Sequence, residues 1–410
     1  MLPMPSPASL RSNFAWTFAG NAVYAAGQWA LLSVVAKLGG SEMLGQYALA
    51  VAITAPVGML SHLNLRAVIA TDVTRKHPFG DYLTVRLGAT LVGLAAVAVL
   101  AFAISKDGEV RLLILAMGVA LSAENISDAF YGALQRRERM DRIARSMILR
   151  TALSVPALAG VLWFTGSIVA AAAALAAARI AALLLFDMPG GESPVTTTRA
   201  NQFAILRTAL PLGIVLMLVT LNSNLPRYAI EHNFGTRGLG AFAAAASFLT
   251  AGNTVVNALG QSATPRLARH FAAGDSGGFR GLTLRLIAIS AALGAAGIAG
   301  ALLIGGPLLR IAYRAEFAQY NYLLVAVMVA AIPIYIGSSL GYAITSVRAF
   351  DAQLPLFGVV VAACAAASWL LVPRLGLMGA AAALGFAACV QAAGELLILV
   401  RAFRRAESLT

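Results

Sequence analysis

The chain has 410 residues, of which 60 % are hydrophobic and 11 % charged, and its mean hydropathy is +0.81. Soluble domains carry roughly 25 % charged residues, and the apolar runs here last about 20 residues, the length that crosses a bilayer as a helix. A soluble globular protein is excluded, as is an outer-membrane barrel, whose segments are short and alternate.

The opening MLPMPSPASLRSN is short and carries Arg11. Many further apolar runs follow the first, so it reads as a membrane helix rather than a cleaved leader. The pattern predicts an all-α polytopic membrane protein of about twelve spans. They lie near 15–37, 45–65, 87–105, 112–134, 147–166, 168–187, 208–230, 239–262, 286–308, 320–346, 354–373 and 376–400. Backbone groups in lipid must be satisfied within the segment, which forces helices.

The first span carries Asn21 and Gln28, seven apart and on one face. The fourth carries Glu124 and Asp128 at i,i+4, with Asn125 between them and Tyr131 extending the face. Carboxylates at membrane depth are costly, and two on one face can carry protons or bind Na⁺; the alternative is that they pair with Arg150 or Arg179 and lock helices together. The sixth span is nearly pure alanine from Ala170 to Ala178, and the ninth carries Gly294, Gly297 and Gly300, small residues that permit close packing. The seventh places Asn222, Ser223, Asn224, Pro226 and Arg227 in or beside its apolar run. A charge at the bilayer centre costs about 2.5–3.5 kcal/mol on insertion scales, so Arg227 either faces a polar interior or snorkels to water. In the eighth, Asn253, Asn257 and Gln261 form an i, i+4, i+8 stripe. Amides on spans one, seven and eight bond between helices or line a hydrated cavity.

The net charge of +13 invites a nucleic-acid reading, which the placement of the charge argues against. Basic residues divide 21 to 8 between the loops of the two sides, with Arg179 left inside the sixth span. That bias puts both termini in the cytoplasm and adds attraction to anionic lipid. The densest patch, Arg136 to Ser146, reads as an amphipathic surface helix. There is no Gly-Lys-Ser/Thr loop for ATP, and no loop is long enough for a soluble catalytic domain. The two cysteines, Cys364 and Cys389, lie in apolar runs, and the four histidines have no metal spacing; no cofactor is expected and the chain is not read as an enzyme.

The two halves look related. Leu44-Gly45-Gln46-Tyr47-Ala48 opens the second span and Leu239-Gly240-Ala241-Phe242-Ala243 the eighth, an offset of 195 residues that carries Gln28 onto Ser223. Six spans per half give both halves the same orientation, hence a parallel repeat.

Several stretches taken in order resemble the polysaccharide-flippase (Wzx-like) branch of the multidrug/oligosaccharidyl-lipid/polysaccharide (MOP) exporter superfamily. They are LNLRAVIATD (Leu63–Asp72), FGDYLTVRL (Phe79–Leu87), DAFYGALQRRERMDRIARSMILR (Asp128–Arg150), LNSNLPRYAIEH (Leu221–His232), AGNTVVNALGQSATPRLARHFAAGD (Ala251–Asp275) and LLVPRLGLMGAAAAL (Leu370–Leu384). The resemblance implies two six-helix lobes related by a pseudo-twofold, over 1–190 and 208–410 with a cytoplasmic linker at 191–207. It implies a central cavity open alternately to each side of the bacterial inner membrane. The implied cargo is an undecaprenyl-pyrophosphate-linked oligosaccharide for capsule, exopolysaccharide, or the O-antigen of lipopolysaccharide. Arg66 and Arg227 match the arginines that hold pyrophosphate in related flippases; Asn21, Gln28, Asn222, Asn224, Asn253, Asn257 and Gln261 are the further cavity candidates. Glu124, Asp128 and Arg179 are the candidates for coupling to an H⁺ or Na⁺ gradient. Glycan polymerase or export proteins are expected partners, alongside membrane lipids. A drug/cation antiporter of the neighbouring branch and a non-transporting scaffold for glycosyltransferases are the competing readings.

Overall fold

A computed structural model describes residues 10–72, 74, 76–189, 198–347 and 349–407. Among these residues there is no strand. The helices are α1 (Leu10–His62), α2 (Leu65–Thr71), α3 (Phe79–Ile104), α4 (Gly108–Arg136), α5 (Met140–Thr165), α6 (Ile168–Ala182), α7 (Arg199–Ala272), α8 (Ser276–Ala312), α9 (Asn321–Ser346), α10 (Gln353–Leu375) and α11 (Leu377–Glu407). A π-helical turn, Leu183–Asp187, extends α6. Among the described residues, ten helical stretches are long and apolar enough to cross a membrane. Of the linker expected at 191–207, residues 191–197 lie outside the described residues, as do Arg75 and Arg348 of the loop charges.

Two helices are too long for one crossing. α7 has 74 residues and α1 has 53, whereas about 20 residues span the hydrocarbon. Each is broken by a glycine in the left-handed region: Gly40 (φ 72°, ψ −167°) in α1 and Gly235 (φ 66°, ψ −173°) in α7. Only glycine adopts such angles at no steric cost. The breaks fall between the first and second and between the seventh and eighth expected spans, 195 residues apart, the offset of the Leu-Gly motifs.

The described residues form two compact units, Met1–Gly39 with Ala50–Met217, and Gly40–Leu49 with Leu218–Thr410. In the first unit a core of Leu63, Leu65, Ile69, Phe79, Tyr82 and Phe130 also takes in Ile205 and Ala209 from the start of α7. That start is held by the buried Asp81 of α3, which accepts the Thr198 backbone N–H at 2.7 Å and the Asn201 side-chain amide at 2.9 Å; the first bond satisfies a donor that a helix start leaves open. The alanine face of α6 (Ala171, Ala172, Ala176) is buried.

In the second unit Gly294 and Gly297 of α8 sit against Ile332 and Met328 of α9, whereas Gly300 faces open space. Leu267, Phe279, Leu340, Ile344 and Leu399 form a core there. The segment Gly40–Leu49 meets the opening of the eighth expected span in a reciprocal backbone crossing. A methyl group on Gly45 would overlap the Thr236 carbonyl oxygen, and one on Gly240 would overlap the Ser41 carbonyl oxygen. Gly45 and Gly240 are 195 residues apart, and so are Ser41 and Thr236. The Thr236 hydroxyl also donates to Glu42, and the Ser41 N–H donates to Glu316 Oε1 at 2.8 Å.

Candidate transport site

In the first unit Glu124 and Asp128 of α4 head two clusters one helical turn apart. Glu124 lies 2.7 Å from Arg179 of α6 and 3.4 Å from Arg150 of α5, and Tyr24 of α1 donates to it at 2.6 Å. Asp128 faces His62 at 2.8 Å, Arg66 at 3.3 Å and Arg86 at 3.8 Å. Arg66 is held further by Gln135, to which its Nε donates at 3.0 Å, and by the Tyr131 ring beneath its guanidinium. Arg86 is 0 % exposed, and its Nη1 donates to the His62 carbonyl at 2.6 Å. The Tyr131 and Ser146 hydroxyls lie 2.6 Å apart, and Ser146 donates to the buried Asp187 at 2.6 Å. Asn125 turns the other way and donates to the Gly58 carbonyl at 3.1 Å.

The carboxylates thus reach their cations across helices, with Glu124 meeting both Arg150 and Arg179. Charges buried in this way are tolerated because each has an opposite charge and hydrogen bonds. Just outside the spans, Asp72 is organised similarly. Its partial burial acts to raise the carboxyl, but the N–H groups of Lys76 and His77, the Tyr82 hydroxyl and the charge of Arg136 outweigh that and hold it below the ordinary carboxylate value.

In the second unit Asn224 is buried and Arg227 lies one turn on; the guanidinium Nη1 donates to Asn224 Oδ1 at 3.1 Å, and the Asn224 amide donates to the Thr220 carbonyl at 2.8 Å. Among the described residues no carboxylate lies within 4.0 Å of Arg227, and its Nε is buried without a hydrogen-bond partner. Asn222 Oδ1 is likewise buried and unpartnered. Asn253 accepts from Ser338 of α9 at 3.0 Å, and Asn257 accepts from Tyr342 at 3.5 Å. Interhelical hydrogen bonding therefore accounts for two members of the α7 stripe, while Gln261 is exposed. In the first unit Asn21 is exposed, and the half-buried Gln28 lines a small cavity with Arg150 and Arg179.

Several polar partners carry little sequence signal. Tyr24, His62 and Arg86 are distant in the chain from the carboxylates they meet. Glu395 of α11 is 1 % exposed; Gln391 donates to one of its oxygens at 3.0 Å, and the other has no partner among the described residues. The i,i+4 spacing of Gln391 and Glu395 inside the last apolar run is the signal that would have found it. Among the described residues no group of three or more metal-ligating side chains comes together.

The chain's fold is similar to those of solved transporters. The inward-facing conformation of a multidrug resistance MATE family transporter of the MOP superfamily is similar with a TM-score of 0.75 at 15 % identity, over 94 % of this chain and 98 % of that one. A MOP superfamily transporter from Pyrococcus furiosus gives 0.63 at 18 %, over 95 % and 94 %. The fold is therefore that of the MOP-superfamily transporters, and the protein is a multi-pass helical membrane protein. Polysaccharide biosynthesis protein (Polysacc_synt) is the family that matches residues 10–271, and the chain belongs to it. Capsular polysaccharide biosynthesis protein CapF of Staphylococcus aureus is similar at 25 % identity over 375 residues, 90 % of this chain and 94 % of that protein.

Proposed function

We propose that the protein is a flippase that carries the head group of a lipid-linked oligosaccharide across the bacterial inner membrane by alternating access, with both termini cytoplasmic. Sugar hydroxyls and phosphates lose too much solvation to enter hydrocarbon. A polar passage takes the head group across while the isoprenoid tail stays in lipid. Undecaprenyl pyrophosphate is the carrier that suits a capsule, exopolysaccharide or O-antigen pathway.

The observation that carries this reading is Arg227. It is a guanidinium in a membrane helix, steadied by one amide, with no carboxylate against it among the described residues. Such a cation suits an anionic ligand and opposes a cationic drug. Asn222 and Asn224 beside it offer the amide chemistry that sugar hydroxyls use. Arg66 is the second candidate, already shared with Asp128.

The test is flux of a fluorescent lipid-linked glycan in proteoliposomes. Arg227→Ala is expected to lower flux at least about tenfold, the worth of one charge-assisted hydrogen bond, with the protein still inserted. Arg66→Ala is expected to lower it less, because Asp128 keeps His62 and Arg86. Wild-type flux in both variants would remove these arginines from the passage. Export of a cationic dye in place of the glycan would favour the antiporter reading.

A further inference from the structure

We propose that the first unit binds a single halide-sized anion between α1, α5 and α6. The small cavity there is lined by Tyr24, Gln28, Arg150, Thr151, Ser154 and Arg179, and it has room for about one particle near the size of a water molecule. Its lining offers guanidinium, amide and hydroxyl donors and no carboxylate.

Two of those donors are idle. Arg150 is 5 % exposed and its Nη1 has no hydrogen-bond partner; Ser154 is 4 % exposed and its hydroxyl has none. Both residues are on α5, one turn apart, and line the same space. Of the other donors, Tyr24 donates to Glu124, and Arg179 Nη1 lies against the same carboxylate. Arg150 reaches Glu124 too, through Nη2. Two full positive charges therefore share one negative charge beside the cavity. The next carboxylate, Asp187, is not within ion-pair distance of Arg150; it accepts from Ser146.

Buried donors without partners and a local excess of charge both carry a free-energy cost. A water molecule in the cavity would relieve the first and leave the second. A small monovalent anion relieves both, accepting from Arg150 Nη1, from the Ser154 hydroxyl and from the Gln28 amide. Sulfate and phosphate are too large for a space of this size. The site is separate from Arg227, and the inference does not depend on the transport reading.

The test uses the full chain in nanodiscs, melted in sodium chloride, sodium bromide, sodium phosphate and sodium gluconate at matched ionic strength. The expected result is a saturable rise in Tm with chloride and with bromide that gluconate does not reproduce. Ser154→Val and Gln28→Leu are expected to raise the half-saturating chloride concentration at least about tenfold, as loss of a hydrogen bond to a charged group predicts. The exposed Ser262→Ala is expected to leave it unchanged. Arg150→Gln also strips Glu124 of a partner and endangers folding, which is why the test rests on the other two variants. Equal melting in chloride and gluconate at every concentration overturns the proposal and leaves the cavity to water. So does a chloride response that Ser154→Val does not weaken, or one that phosphate matches.

Discussion

Glu124, half-buried, and Glu395, fully buried, are both glutamates on membrane helices, and their surroundings demand opposite outcomes from the same substitution. Glu124 meets two guanidiniums and a tyrosine hydroxyl. Glu124→Gln takes the countercharge from Arg150 and Arg179 and leaves two buried cations, a loss of about 3–5 kcal/mol where one partner of a buried pair is removed. Glu395 meets one amide and no cation among the described residues, so Glu395→Gln removes no ion pair and keeps the shape. A lower melting temperature for Glu124→Gln and an unchanged or higher one for Glu395→Gln are expected; equal losses would mean that the pairing around Glu124 contributes nothing. The same Glu124 variant addresses coupling. If its flux responds to an uncoupler as wild type does, the α4 carboxylates hold helices together and do not carry an ion.

At the scale of elements, much of the architecture was legible before any coordinates. Apolar runs of bilayer length gave the helices, and polar residues inside the fourth and seventh runs marked Glu124, Asp128, Asn224 and Arg227. Those positions stood out because an apolar run makes any ionisable group conspicuous. The partners did not stand out. Tyr24 is 100 residues from Glu124, and whether they meet depends on how each helix is rotated about its axis, which one sequence does not encode locally. Arg86 precedes the third apolar run in the sequence, where a charge suits a loop, yet it is buried against α4. The i,i+4 spacing puts Asn253 and Asn257 on one face, but the face alone does not say whether a cavity or α9 lies opposite. The α8 glycines show the same limit. Gly294 sits against the Ile332 backbone and Gly300 faces nothing within 4 Å. Gly294→Ala is expected to cost about 1–3 kcal/mol through overpacking. Gly300→Ala is expected to be neutral or to add up to about 1 kcal/mol of helix propensity. Thermal melting of the two variants checks the difference.

For the whole molecule, the informative feature is the reciprocal crossing of Gly45 and Gly240. Each lends its bare backbone to a carbonyl of the opposite segment, and the two contacts exchange under the 195-residue offset. Gly45→Ala and Gly240→Ala should therefore damage the fold by matching amounts, about 1–3 kcal/mol each, and melting the two side by side measures the match. A much larger loss from one than from the other would show that only one half of the crossing bears on stability. The crossing has the self-complementary form of the isologous interface in a C2 dimer. A half-length chain carrying one Leu-Gly motif would own both faces of such a contact: two identical copies would meet as equals, and joining them end to end would need no new surface. What a single gene now encodes would then be a pair that assembled before it was fused.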